Sequence, residues 1–295
     1  MVLSKRKIFL KLLLIQLIGL NLIQVKNLNA IIPYYLLPSK QFLKKNSSLL
    51  GRRAFFLLSN GQLKEGLNLA KLAINIDNQN ENLWAILAEA QIKNNLINDA
   101  LYSIAKGKLL NPEMADFHFV EGSIYLQKQK LKKSRESLLR GLKIQPKVAF
   151  IFFQLGNISL MEKNYNRALD EFQKAIEIKS DYWEVINNIG LAYFEKNKRL
   201  LAIENFRKAI SIKRNGETLL ALAVSIQNED RKQAIDLAKE ALKMYPSFVS
   251  KDFRNEQLWG DQLQESTRQL FKLKELNEDI ISAEQIYNWY ILNKK

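Results

Sequence analysis

The chain has 295 residues, 47% apolar and 25% charged, with only 11 Gly and 5 Pro, which excludes disordered, collagen-like and multi-span membrane classes. It has no Cys and a single His, so disulfide scaffolds, thiolate zinc sites, iron–sulfur clusters, Cys nucleophiles and multi-His metal centres are excluded as well. Lys plus Arg number 45 against 30 Asp plus Glu, a formal charge of +15. The basic set is Lys-heavy and sits beside abundant Asn and Ile, as AT-rich coding produces, so it argues against nucleic acid as the partner.

Residues 1–30 carry the pattern of a signal peptide or signal anchor. Lys5, Arg6 and Lys7 form a basic head, Leu12 to Leu20 an apolar centre, and Leu28-Asn29-Ala30 a small-residue cleavage site. Lys11, Gln16, Asn21 and Gln24 break the run, which falls short of the roughly 20 apolar residues that a spanning helix needs. Cleaved signal, uncleaved anchor and buried helix are the three alternatives. The pattern predicts export across a membrane, into a periplasm or thylakoid lumen if the source is bacterial, or anchoring by this segment. Pro33 and Pro38 then impose extended backbone on the residues before them, and 31–46 is read as a linker.

From Ser47 the chain repeats every 34 residues. Ala54, Ala88, Gly122, Gly156 and Gly190 form one register. Gly66, Ala100, Ser134, Ala168 and Ala202 form a second, and Ala73, Gly107, Gly141, Ala175 and Ala209 a third. Gly, Ala and Ser together are about one residue in six, so small residues at all of these positions are no accident of composition. A fourth register, Asn78, Pro112, Pro146, Ser180 and Arg214, ends two units on a Pro that no helix can continue through. Between these marks the apolar spacing is helical, as in Phe152, Leu155 and Ile158, then Ala168, Leu169, Phe172 and Ala175. Lys163-Asn164, Asn94-Asn95, Lys196-Asn197 and Asn228 to Asp230 supply turns, and Asp181 with Glu184 reads as a capping pair opening a helix. Small residues at fixed places are holes that let paired helices approach closely.

The stretch Trp183 to Lys213, WEVINNIGLAYFEKNKRLLAIENFRKAISIK, resembles the tetratricopeptide repeat, with Gly190, Tyr193, Ala202, Phe206 and Ala209 in the signature places. Five units are read at 47–80, 81–114, 115–148, 149–182 and 183–216, and a shortened sixth at about 217–248. The resemblance implies an all-α, right-handed superhelix of about six helix pairs whose concave groove binds extended peptides or partner helices. Residues 249–295 leave the period. Phe253, Leu258, Trp259, Leu263, Leu270 and Phe271 are spaced as one helical face suited to capping the stack, and a second helix is expected from about Asn277. IPYYLLP and NEQLWGDQL resemble segments of exported tetratricopeptide proteins of oxygenic photosynthetic bacteria.

No phosphate-binding glycine loop and no nucleophile elbow occurs, and His118 between Phe117 and Phe119 reads as a packed or rim residue, so the chain is read as non-enzymatic and without cofactor. The resemblance places the groove on the first helix of each unit, around the small residue. Those positions hold Arg52, Arg53 and Phe55, then Ile86 and Glu89, then Phe119 and Ser123, then Phe153, Gln154 and Asn157, then Asn187, Asn188 and Leu191. Of these, Phe119, Ser123, Phe153, Asn157, Asn187 and Asn188 are the candidate peptide contacts, since amides bond a peptide backbone and the rings form apolar pockets. The Lys set with which some family members clamp an acidic C-terminus is absent. Lys128, Lys130, Lys132, Lys133, Arg135 and Arg140 form a basic stripe, read either as solvated surface or as a docking site for an anionic membrane surface or acidic partner. The expected function is a scaffold for a protein or peptide partner that aids assembly or maintenance of a membrane-associated complex. The alternatives are a membrane-tethered structural subunit and an accessory domain of an enzyme.

Overall fold

Short amphipathic stretches of 11 to 14 residues, each closed by a turn residue, have one stable use: they fold as helices that bury a single stripe against the next helix. The computed structural model describes residues 39–293, and the expected signal segment and the two linker prolines lie outside that range. Twelve helices follow one another in six pairs: α1 (Lys40–Ser59) with α2 (Leu63–Ile76), α3 (Glu81–Lys93) with α4 (Ile97–Leu110), and α5 (Ala115–Gln127) with α6 (Leu131–Ile144). Then come α7 (Ala149–Met161) with α8 (Tyr165–Ile178), α9 (Trp183–Glu195) with α10 (Arg199–Ile212), and α11 (Gly216–Ile226) with α12 (Arg231–Met244). Helix α1 starts at Lys40, so residues 40–46, read as linker, are helical.

The small-residue registers are contact points. A Cβ on Gly156 would lie 2.2 Å from the Phe172 ring, and one on Gly190 2.5 Å from Phe206, the same contact one repeat later. Gly141 receives Phe119 and Gly107 receives Phe117 in the same way. Ring-on-glycine packing sets how near the paired helices come.

The turns inside the pairs share one backbone device. Gly61, Asn95, Gln129, Lys163 and Asn197 all have left-handed φ, between 54° and 78°, at 34-residue spacing. After each, an amide reaches back to the carbonyl five residues earlier: Gln62 to Leu57, Leu96 to Gln91, Lys130 to Tyr125, Asn164 to Ser159 and Lys198 to Tyr193. These are Schellman closures, which need one left-handed residue. The capping pair expected at Asp181 and Glu184 does not form. Helix α9 starts at Trp183 with no side-chain cap, because Asp181 lies in the turn two places before it. Elsewhere Asn80, Asn164, Asn215 and Asp230 accept amides of the first turn of α3, α8, α11 and α12.

Past α12 the regular pairing ends. A short 3-10 turn (Pro246–Val249) leads to α13 (Lys251–Glu256), α14 (Asp261–Leu270), a second 3-10 turn (Lys274–Leu276) and α15 (Asn277–Asn293). The single helical face expected from Phe253 to Phe271 is broken, because Leu258 takes a φ of 64° and starts a new direction at Trp259-Gly260. Helix α15 packs on α12 and the first 3-10 turn, whereas α14 packs on α9 and α11. Among the described residues no helix is long and apolar enough to cross a membrane.

Candidate functional site

The first helices of the pairs, α1, α3, α5, α7, α9 and α11, build one face, and the residues along it differ sharply between its two ends. At the N-terminal end three consecutive first helices enclose a cavity of about 430 Å³ lined by Phe55, Ile86, Glu89, Ile92, Phe119 and Val120. Its walls are mostly apolar. Phe55 is half exposed at the rim, while Phe119 is buried by its contact with Gly141, so it forms the floor and not a free contact. Ile86 and Glu89 line the middle.

Further along, the polar candidates bond one another. Ser123 on α5 shares two hydrogen bonds with the Gln154 amide on α7, at 2.9 and 3.1 Å. Asn188 Nδ2 on α9 donates to Asn157 Oδ1 on α7 at 2.8 Å. Asn187 Nδ2 donates to Glu217 Oε1 on α11 at 3.1 Å, and the Thr218 hydroxyl donates to Asn187 Oδ1 at 2.9 Å. Ser123 to Gln154, Asn157 to Asn188 and Asn187 to Thr218 are each 31 residues apart, one repeat less about one helical turn. That offset is where a side chain on one first helix meets the next. Asn187 is thereby 1% exposed and belongs to the helix junction, whereas Asn157 keeps part of its surface open. Phe153 is half-buried, its ring 5.3 Å from that of Tyr182 and 6.3 Å from that of Phe172.

The C-terminal end of the same face is occupied by the chain itself. Trp259 Nε1 donates to Glu217 Oε1 at 3.3 Å. The backbone amides of Gln262 and Leu263 donate to the two oxygens of Glu195 at 3.2 and 2.9 Å, and Gln262 Nε2 reaches the Glu195 carbonyl at 2.9 Å. The Glu195 carboxylate thus caps the N-terminus of α14 from another helix. Leu258 packs on the cluster that contains Phe172, Val185 and Ala192, and a Lys163 to Asp261 ion pair closes the edge at 2.6 Å. Burial pushes the Glu217 carboxyl up to about 7, against the opposing pull of its Trp259 and Asn187 bonds, and burial raises Glu195 too.

The basic stripe loses one member. Arg135 is buried: its guanidinium donates to Glu171 and Glu162 at 2.8 Å each and to Ser159 at 3.0 Å, while Ser159 in turn donates to Glu171. It lies on the inward side of α6, two positions from the exposed Lys133, because a helix turns about 100° per residue. Lys128, Lys130, Lys132, Lys133 and Arg140 are exposed, Lys128 reaching Asn98 and Lys133 standing over the Tyr125 ring. His118 Nε2 lies 3.3 Å from the Pro112 carbonyl.

A model of the tetratricopeptide repeat matches residues 115–148, 151–182 and 184–215. Helices α5 to α10 are tetratricopeptide repeats. The Asn157 to Asn188 bond therefore joins two of them and the Asn187 to Thr218 bond leads out of the last. No curated protein matches the sequence. Among solved structures, the repeats are similar to those of pilF from Pseudomonas aeruginosa, with a TM-score of 0.63 at 17% identity over 73% of this chain and 98% of that one. MamA from Desulfovibrio magneticus gives 0.52 at 17% identity over 57% and 95%, and the Cut9–Hcn1 hetero-tetramer of the APC/C gives 0.58 at 15% over 80% and 50%. These likenesses establish the fold, a solenoid of tetratricopeptide helix pairs.

Glu195, Glu217 and Val120 belong to the site although sequence reasoning passed over them. Glu217 carried a signal: it is the single charged residue in GETLLALAVSI, where an acid has no reason to sit unless something donates to it. Glu195 carried none, since an acid at a helix C-terminus is unremarkable until a distant helix start is brought to it.

Proposed function

We propose that this protein is a non-catalytic interaction scaffold whose first-helix face holds an extended peptide or partner helix, in the service of assembling or maintaining a membrane-associated complex. The observation that carries this reading is the open apolar cavity across the first three pairs, lined by Phe55, Ile86, Phe119 and Val120. Burying one large apolar side chain of a partner in such a cavity contributes roughly 1.5–3 kcal/mol, and Glu89 on its wall offers a carboxylate to a donor beside that side chain. The fold class is one whose members serve as protein-binding scaffolds, and the paired buried amides of the central repeats hold that face rigid, which lowers the entropy lost when a partner docks.

The test is capture with matched baits. The full chain carrying Ile86→Glu is compared with the parent chain against a mild-detergent membrane extract. The parent retains a defined partner and the variant loses it at least tenfold, while a cooperative melt shows the variant folded, at a lowered midpoint because Ile86 packs against the core. A partner held equally by both baits refutes the cavity as the binding surface.

A further inference from the structure

Helix α15 packs on α12 and the 3-10 turn Pro246–Val249, with Ala283 as its buried residue. Residues 251–273 bury the first-helix side of the last pair. They leave the end of the stack, cross the first-helix face, lay α14 on α9 and α11, and return. The excursion covers α11, as a cap does, and reaches one pair further to α9.

The contacts of the excursion are those of a ligand in a groove. Leu258 enters the cluster around Phe172 and Val185, and Trp259, Leu263 and Leu270 are buried against Leu219 and Leu222 of α11. One aromatic N–H, from Trp259, bonds Glu217, and two free amides at a helix start, Gln262 and Leu263, bond Glu195. Gly260 lets the backbone lie against the Glu195 carboxyl, since a Cβ there would stand 2.2 Å from its Cδ. The backbone at Leu258 is left-handed, a conformation that a branched side chain adopts only when its surroundings impose it. Neither Glu195 nor Glu217 has an ion-pair partner within 4 Å among the described residues. The strain at Leu258 favours release, against the burial of Trp259 and Leu263 and the amide bonds to Glu195.

We propose that residues 258–263 are a resident pseudo-ligand that closes the α9–α11 section of the binding face, and that the partner displacing them presents the same chemistry: an apolar residue, an aromatic N–H donor and the free amides of a helix start, with no acidic residue between them. Acidic segments are rejected there by Glu195 and Glu217. Closure reduces apparent affinity by the fraction of chains that are open, so loosening the segment strengthens partner binding. This rests on the reading of the first-helix face as the binding surface.

The probe is a fluorescein-labelled peptide of residues 251–273, titrated by anisotropy into the full chain and into full chain carrying Gly260→Ala, whose added Cβ displaces the Glu195 carboxyl from the α14 amides. The variant binds the peptide at least about tenfold more tightly than the parent, and Trp259→Phe in the peptide, which keeps the ring and removes the N–H, weakens that binding about threefold or more. Equal affinity of parent and variant, or no binding by either, overturns the proposal. Hydrogen exchange on the unaltered chain decides the matter even if the variant folds poorly. The amides of Gln262 and Leu263 exchange faster than those of Ala192 and Leu219 if the segment opens locally. Exchange at a common rate makes it a permanent part of the core. Loss of partner capture on Ile86→Glu with no response to Gly260→Ala leaves the scaffold standing and removes the gate, whereas loss of both effects removes the scaffold reading itself.

Discussion

Gln129 occupies a left-handed position that Gly61, Asn95 and Asn197 fill elsewhere in the series with residues suited to it. Its φ of 54° is dictated by the Schellman closure between Tyr125 and Lys130, and not by its own preference. Gln129→Gly relieves that strain against a gain in unfolded-chain entropy, and the balance favours stabilisation by about 0.5–1 kcal/mol, read as a rise in the urea midpoint. Glu217 gives a prediction of opposite character, in pH. Burial pushes its carboxyl up to about 7 in the folded chain from an ordinary value of about 4.5, so the folded state holds the proton more tightly. Stability from this group is present below about pH 4.5 and is lost as pH rises to about 7. The melting midpoint therefore falls over that window, and Glu217→Gln, which keeps an oxygen to accept from Trp259 and Asn187, flattens the fall by about 1–3 kcal/mol. A variant that tracks the parent at every pH would show the carboxyl to be solvated.

At the scale of elements, the units are joined by two kinds of contact. Ring-on-glycine packing works within a pair, as Phe172 on Gly156 and Phe206 on Gly190, and also between pairs, as Phe117 on Gly107. Polar pins work between pairs: Ser123 with Gln154, Asn157 with Asn188, Asn187 with Thr218, and the Arg135 set that ties α6 to α7 and α8. Arg135 is the pin with the largest consequence, because its removal leaves Glu171 buried beside Ser159 with only the peripheral Arg167, 3.2 Å away, to neutralise it. Arg135→Ala destabilises by about 2–4 kcal/mol by leaving a carboxylate short of its partner. Arg140→Ala, an exposed residue of the same helix, stays within about 0.5 kcal/mol. Equal effects of the two in denaturant titrations would return Arg135 to the surface stripe.

For the molecule as a whole, the first-helix face is one continuous scaffold with unequal ends. The early pairs present an apolar cavity, the central pairs are locked together by amides, and the late pairs are covered by residues 251–273. A solenoid distributes stability as a sum over neighbouring units, so loosening the covering segment changes access to the late pairs without unfolding the early ones. Pairing α1 to α12 on one pattern and then departing from it separates the parts that make the surface from the part that regulates it.

The 34-residue period was sufficient to give the pairs, their turns and the small residues between them, because each of those features depends on neighbours within one or two repeats. Gly156 facing Phe172 is such a feature: both residues recur one period later, as Gly190 and Phe206. The period could not assign the polar residues of that face. Asn157, Asn187 and Asn188 look free in sequence, yet their partners stand 31 residues away or next door, an offset visible only when adjacent first helices are laid together. Arg135 looks like its neighbours Lys132 and Lys133 in a charge run, and only the rotation of α6 against α7 and α8 turns it inward. Least legible was the path after α12. The bond from Leu263 to Glu195 spans 68 residues, and nothing local at either end demands the other. Local periodicity stores which residues face a neighbour, whereas a segment outside the repeat finds its place by the free energy of burying Leu258, Trp259 and Leu263 on whatever apolar face the assembled stack leaves uncovered.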